Sequence, residues 1–173
     1  MVDAPDRPAP RFPAALEPAV ARAIENEAHR LQANPGDVAI CSGASGGDIM
    51  FAEAMLDAGV PLRIYLPFDE TTFLSTSVSF AGDRWIERFK LVVAEAEVFV
   101  APELLGALAE GEDPYERTNV WMLDEARRMA GDEIFFVCLW NGEGGDGPGG
   151  AQHMMEAVRQ LGGAIHWIDI RKL

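Results

Sequence analysis

Positive charge is scarce in this chain. Its 173 residues include 14 lysines and arginines against 28 aspartates and glutamates, so the formal net charge at pH 7 is −14. Nucleic acids and anionic lipids bind mainly through lysine and arginine, so this composition excludes them as expected partners. A small phosphorylated ligand stays open, because backbone N–H groups bind phosphate without basic side chains.

Long apolar runs and cysteines are also lacking. No run approaches the roughly 20 residues that span a membrane, and the N-terminus has no charged-then-apolar secretory pattern. The only two cysteines, Cys41 and Cys138, lie in apolar strand-like runs, which indicates buried structural thiols rather than redox or catalytic ones. We therefore expect a protein of the reducing cytoplasm that has no membrane partner.

Several motifs of metal and nucleophilic chemistry are missing. The histidines His29, His153 and His166 lack metal-ligand spacing, and no Cys/His cluster occurs. No Walker-type lysine, nucleophile elbow or Ser-His-Asp set is found either. We expect no metal and no required cofactor.

Strand-like and helix-like segments alternate along the whole chain. Strands are predicted at residues 38–42, 62–66, 97–101, 133–140 and 164–168, with helical periodicity between most of them and a polar loop at 69–77. This order predicts an α/β fold, a three-layer Rossmann-like parallel sheet of about five strands with helices on both faces. Residues 1–13, which are rich in proline, are expected to form an irregular arm, and residues 14–173 a single domain.

The most informative segment follows the first predicted strand and opens a helix. Small residues there let the backbone approach a ligand, and the free N–H groups of the first helical turn favour an anion. The turn therefore predicts a phosphate or nucleotide site, the alternative being tight packing alone. Gly46→Val is expected to abolish binding while leaving the fold. The candidate ligand-binding residues of this turn are Ser42, Gly43, Ala44, Ser45, Gly46, Gly47 and Asp48.

Two acidic residues near this turn have open roles. Asp48 either stabilises the helix dipole or contacts the ligand. Glu53, further along the helix, either faces solvent or reaches a ribose, and it is a weak candidate for a catalytic carboxylate.

A second glycine-rich turn follows the most apolar strand. More than half of residues 141–150 are glycine, and the carboxyl ends of parallel strands form the ligand crevice. Asn141, Gly142, Gly149 and Gly150 are therefore ligand-binding candidates, unless the segment is only a flexible surface connection.

A third candidate cluster lies on the helix at residues 115–130. Asn119 is a poor helix former in mid-helix, and an amide there often hydrogen-bonds a backbone group or a ligand. Asp124, a second weak catalytic candidate, is five residues further on and therefore not on the same face. Arg117 either meets a phosphate or is solvated.

In this order, the clusters resemble the SLOG superfamily of Rossmann-like proteins. That group includes LOG-type nucleotide phosphoribohydrolases, the DNA-processing protein A fold and YpsA-like proteins. The turn at Ser42–Asp48 with Glu53 is similar to the family's strand-turn-helix signature, and Pro67 matches a strand that ends in proline beside the crevice. The helix from Thr118 resembles the Arg-Asn-x-x-Met-x-Asp helix, with threonine in place of arginine.

A second part of the resemblance lies at the end of the fourth predicted strand. Trp140, with Asn141 and Gly142, is similar to the family's Trp-Asp-Gly…Gly-Gly turn. Residues 148–156 keep the outer residues of the LOG-type signature but lack its Gly-Thr, so Glu156 does not inherit a catalytic role. The most similar members are bacterial domains attached to helical repeats or cyclase modules.

The resemblance implies a nucleotide-derived ligand of the nucleoside-diphosphate-ribose type, bound by a sensor or regulatory module. The alternatives are a nucleosidase or phosphoribohydrolase that cleaves an N-glycosidic bond, and a protein-interaction module with a vestigial pocket. Relatives begin with a strand that this chain is expected to lack. We therefore expect residues 38–42 to pair directly with residues 97–101, or a second copy to fill the edge as a homodimer.

Overall fold

The computed structural model describes residues 1–3, 11–131, 133–143 and 150–173. The strands in these ranges are β1 (Ala39–Cys41), β2 (Leu62–Leu66), β3 (Glu97–Val100), β4 (Phe135–Trp140) and β5 (Ala164–Asp169). The helices there are α1 (Glu17–Arg30), α2 (Gly47–Asp57), α3 (Glu70–Ser77), α4 (Asp83–Glu95), α5 (Ala101–Leu105), α6 (Pro114–Ala130) and α7 (Ala151–Gln160). None of these helices is both long and apolar enough to cross a membrane.

All strand pairs are parallel, which confirms the predicted α/β class. The strands form two hydrogen-bonded groups, one in the order β1-β2-β3 and the other β4-β5. The predicted direct pairing of residues 38–42 with 97–101 is wrong, because β2 lies between β1 and β3. Each helical crossover returns the chain beside the strand it has just left, and this produces the observed order. The other version, in which a second copy covers an edge, stays a prediction.

Helices cover both faces of the three-stranded group. Along β2, Leu62, Ile64 and Leu66 belong to the main core, which also contains side chains of α1, α2 and α4. Tyr65 points the other way, stacking on Phe99 of β3 and meeting Trp121 of α6 edge-on at 4.7 Å between ring centroids. This alternation places β2 between two helical layers.

The polar segment 69–77, predicted as a loop, is helical. The Asp69 side chain caps α3 by accepting hydrogen bonds from the Thr72 N–H at 3.0 Å and from its hydroxyl at 2.6 Å. Phe73 is fully buried, with its ring centroid 5.8 Å from that of Phe89. The loop prediction failed because one N-cap and one buried aromatic suffice to hold a short polar helix.

The two described ends of the N-terminal arm lie together. The Asp3 N–H donates to the Phe12 carbonyl at 2.9 Å, and its carboxylate accepts from the N–H groups of Arg11 and Phe12. Val2 and Phe12 are buried in the main core. Residues 4–10 of the predicted arm lie outside the described residues, and the described ends contribute apolar side chains to the domain.

Candidate functional site

The turn after β1 has the predicted order of strand, small residues and helix. It leaves β1 at Ser42, passes through Gly43 at φ +77°, and enters α2 at Gly47. The Asp48 side chain bridges the turn, because its Oδ2 accepts hydrogen bonds from the Ser42 hydroxyl at 2.6 Å and from the Ala44 N–H at 3.3 Å. This carboxylate therefore lies among the donors that the sequence assigned to a phosphate.

Donors remain at the start of α2. The N–H groups of Gly47 and Asp48 have no helical acceptor, as expected for the first turn, and none of the described residues accepts from them. Both residues are half-buried. Two N–H groups at the positive end of the helix dipole are thus available to an acceptor outside the protein.

Gly46 is required by the protein's own chain. Its φ is +109°, and a Cβ at this position would lie 2.5 Å from the backbone nitrogen of Val2. The Val2 N–H donates to the Ser45 carbonyl at 2.9 Å, which holds the two segments in contact. The expectation that Gly46→Val leaves the fold intact conflicts with this geometry, because the valine would meet backbone rather than open space.

A chain of hydrogen bonds connects this turn to elements that follow the next two strands. The Ser45 N–H donates to the carbonyl of Ser77, at the end of α3, at 3.0 Å. The Ser77 hydroxyl lies 3.1 Å from the hydroxyl of Tyr115, in the first turn of α6, and Thr76 Oγ1 lies 3.4 Å from the same tyrosine. Ser45 and Ser77 are both buried, and the Ser45 hydroxyl has no partner within the described residues.

Aromatic rings lie beside this hydroxyl cluster. Pro67, immediately after β2, is buried, and the next residue, Phe68, meets Tyr115 edge-to-face at 5.5 Å. Phe68, Ser77 and Tyr115 were not among the candidate residues predicted from the sequence. Phe68 directly follows β2, and this position could have indicated it. Ser77 ends α3 and Tyr115 lies in the first turn of α6, so only the tertiary structure brings these two together.

On α6, Asn119 is half-buried and lies one turn after Tyr115, on the same side of the helix. Its neighbour Thr118 is buried and donates its hydroxyl back to the Pro114 carbonyl at 2.8 Å, which is a bond within the helix. Asp124 is exposed. The structure thus brings Asn119 toward the cluster and leaves Asp124 outside it.

Arg117 has a structural partner. Its Nη2 donates to the carbonyls of Leu105 at 2.7 Å and Gly106 at 3.1 Å. These bonds attach α6 to the segment after β3, so neither expectation for this residue, phosphate contact or simple solvation, describes its position.

Glu53 is bound by an arginine of a neighbouring helix. Its carboxylate is held by the Arg88 guanidinium, which also pairs with Glu17 and lies 4.0 Å over the ring of Trp85. The group joins α1, α2 and α4 beside an open depression of about 340 Å³. Glu53 is therefore a member of an interhelical ion pair.

The end of β4 contacts the first turn. The Leu139 side chain is 3.5 Å from the position that a Cβ would take at Gly47. The ends of β1 and β4 are therefore neighbours, although no backbone ladder joins these strands in the described part of the chain.

Residues of the second turn contact β5 and the segment after it. The Trp140 carbonyl accepts from the Trp167 indole at 3.0 Å, and the Asn141 side chain accepts from the Glu143 N–H at 3.1 Å. Gly142 has φ +76°, and a Cβ there would be 2.9 Å from the Arg171 guanidinium. Gly150 is the N-cap of α7, and Gly149 lies outside the described residues.

Both cysteines are buried and free, as predicted. Burial, and to a smaller extent the charge of Asp48, raises the pKa of the Cys138 thiol to about 11, and the same causes raise the pKa of Cys41. Thiolate chemistry is therefore disfavoured at both positions. Within the described ranges, no group of three or more His, Cys, Asp or Glu residues could hold a metal ion.

Comparisons with known proteins add little to this geometry. No family model matches the chain, and no curated protein does. Among solved structures, a cystathionine beta-synthase from Bacillus anthracis aligns with 88% of this chain and 64% of its own, at 15% identity and a TM-score of 0.24. A TM-score this low carries no argument about the fold or function of this chain.

Proposed function

We propose that this chain is a SLOG-type domain that binds a nucleotide-derived ligand, of the nucleoside-diphosphate-ribose type, at the carboxyl ends of its strands. It acts there as a sensor or regulatory module. The observation that carries the proposal is the hydrogen-bonded path from Ser45 through Ser77 to Tyr115. Groups that follow three successive strands meet along this path, at the edge where open parallel sheets bind ligands.

The first turn supplies groups for a sugar and a phosphate. The N–H groups of Gly47 and Asp48 suit a phosphate oxygen. Asp48 Oδ2 is engaged by Ser42 and Ala44, whereas its Oδ1 has no donor within the described residues. That oxygen suits a ribose hydroxyl, which donates to a carboxylate, while it repels a phosphate placed directly against it. The Asp48 carboxylate therefore binds the sugar, and the N–H groups of Gly47 and Asp48 bind the phosphate.

The positions of the two candidate catalytic carboxylates support binding over hydrolysis. Glu53 is paired with Arg88, and Asp124 is exposed on α6. Buried free thiols support placement in the reducing cytoplasm. The net charge of −14 supports a small-molecule ligand rather than nucleic acid.

Titration calorimetry and thermal shift with adenosine monophosphate and ADP-ribose test the proposal. A ligand at a hundred times its dissociation constant stabilises the folded state by about 2.7 kcal/mol. Asp48→Asn should weaken binding about tenfold or more, because a charged hydrogen bond to the ribose is worth about 1.5–3 kcal/mol.

The matched control is Asp57→Asn, which removes the same charge from the exposed end of the same helix and should leave affinity unchanged. Failure of the wild-type protein to bind either compound at millimolar concentration would refute the proposal. Equal ligand affinities of Asp48→Asn and Asp57→Asn would show that the Asp48 carboxylate does not contact the ligand.

A further inference from the structure

We infer that Tyr115 and Phe68 form the subsite for the planar base of the ligand, an inference that rests on the proposed function. Phe68 follows β2 directly. Tyr115, in the first turn of α6, contacts Ser77, whose carbonyl accepts from Ser45 in the turn after β1, so both rings lie at the ligand edge of the sheet. Their rings are nearly perpendicular, at 87°, with centroids 5.5 Å apart. Tyr115 is 40% exposed, so part of its ring is open to solvent.

This openness sets Tyr115 apart from the aromatic residues that hold the fold together. Tyr65, Phe73 and Phe89 are each at most 1% exposed. Tyr115 keeps its ring accessible while its hydroxyl is held by Ser77 and Thr76. A ring that is fixed at one end and open along its body is suited to stack against a flat partner, as aromatic side chains do with nucleobases.

The path through Ser77 also sets the spacing between this ring and the sugar-binding turn. The Ser77 carbonyl accepts from Ser45 in the turn, while its hydroxyl meets Tyr115. The ring subsite and the turn are therefore held at a fixed separation by a buried residue. A ligand that bridges them has a planar ring joined to a ribose, which is the chemistry of a nucleoside.

The test uses adenosine monophosphate, with ribose 5-phosphate as the matched compound that lacks a base. Tyr115→Ala should weaken binding of the nucleotide roughly tenfold or more, since stacking on an aromatic side chain is of that order, and should leave ribose 5-phosphate binding unchanged. Tyr115→Phe keeps the ring and should retain most of the nucleotide affinity. Phe135→Ala removes a ring that is 60% exposed at the opposite end of a strand and should change neither affinity.

The outcomes distinguish a failure of the base subsite from a failure of the proposed function. Selective loss of nucleotide binding in Tyr115→Ala supports the base subsite. Unchanged nucleotide affinity, or equal loss for both compounds, overturns the base subsite while the proposed function stands. If the wild-type protein binds neither compound nor ADP-ribose, both ideas fail. Should Tyr115→Ala unfold, Tyr115→Leu keeps the apolar volume without the aromatic face and carries the same expectations.

Discussion

Arg88 binds both carboxylate oxygens of Glu53, with Nε 2.7 Å from Oε1 and Nη2 2.5 Å from Oε2. The same guanidinium reaches Glu17 on α1, so a single side chain on α4 connects three helices. The pair lies between buried and exposed, since the Arg88 side chain is 18% exposed and that of Glu53 37%.

Glu53→Gln should therefore lower the free energy of unfolding by about 1–2 kcal/mol, an intermediate cost between those of surface and buried ion pairs. Ligand affinity should not change, because both oxygens of the Glu53 carboxylate are already bound by Arg88. Urea denaturation measures the first quantity and calorimetry the second. Glu87→Gln, on the exposed side of α4, controls for the charge and should stay within about 0.5 kcal/mol of wild type. A selective loss of ligand binding in Glu53→Gln would contradict this prediction and show that Glu53 contributes to the ligand site.

Two serines of the first turn should respond in opposite directions to alanine. Ser42 donates to Asp48, so Ser42→Ala should destabilise the protein by about 1–2 kcal/mol. The Ser45 hydroxyl is buried without a partner in the described part of the chain, so Ser45→Ala should be neutral or stabilising. Denaturant midpoints of the two variants, measured side by side, check the contrast. A larger loss in Ser45→Ala than in Ser42→Ala would show that the Ser45 hydroxyl has a partner.

Adjacent glycines in the same turn should differ in tolerance. Gly46→Ala places a Cβ against the backbone of Val2 at a positive φ, so we expect a loss of about 2 kcal/mol or more. At Gly47 the Cβ meets Leu139 at an ordinary 3.5 Å, and alanine is the better helix former by about 0.5–1 kcal/mol. Thermal melts of the Gly46→Ala and Gly47→Ala variants measure this difference in stability. Comparable stability of the two would contradict the close approach of the N-terminal segment to Gly46.

Acid should destabilise the protein partly through Asp169 and Glu27. Hydrogen bonds from Arg171 hold the pKa of Asp169 well below its usual range, and hydrogen bonding by Arg30 lowers the pKa of Glu27. For a carboxyl group whose pKa falls on folding, the stabilisation is complete above the unfolded value, about 4, and is lost as pH falls toward the folded value.

Urea denaturation between pH 2 and 7 tests this through Asp169→Asn. The variant should be less stable than wild type at pH 7, and the difference should narrow as pH falls below about 4. Asp124→Asn, at an exposed position, controls for the lost charge. A gap that stays constant down to pH 2 would show that Asp169 stabilises the protein by its hydrogen bonds alone, without a shifted pKa.

Local sequence patterns were sufficient to predict the fold class and the turn after the first strand. Alternating strand-like and helix-like periodicity predicted the parallel α/β arrangement because side chains within a few residues decide which face of an element is apolar. The small residues from Ser42 to Gly47 predicted a turn that opens a helix for the same local reason. Burial of Cys41 and Cys138 followed from the apolar runs that contain them.

Other features depend on residues far apart in sequence. Glu53 and Arg88 are separated by 35 positions, and Ser77 and Tyr115 by 38. The approach of Val2 to Gly46 and of the Arg171 side chain to Gly142 likewise joins segments that are far apart in the sequence. The sequence alone determined the α/β class and the positions of the strands and of most helices, since that information is local; the helix at Glu70–Ser77 was the exception. Only the tertiary structure decided strand order, the partners of the charged groups and the meeting of Ser45, Ser77 and Tyr115, because these arise when the helical crossovers pack distant segments against one another.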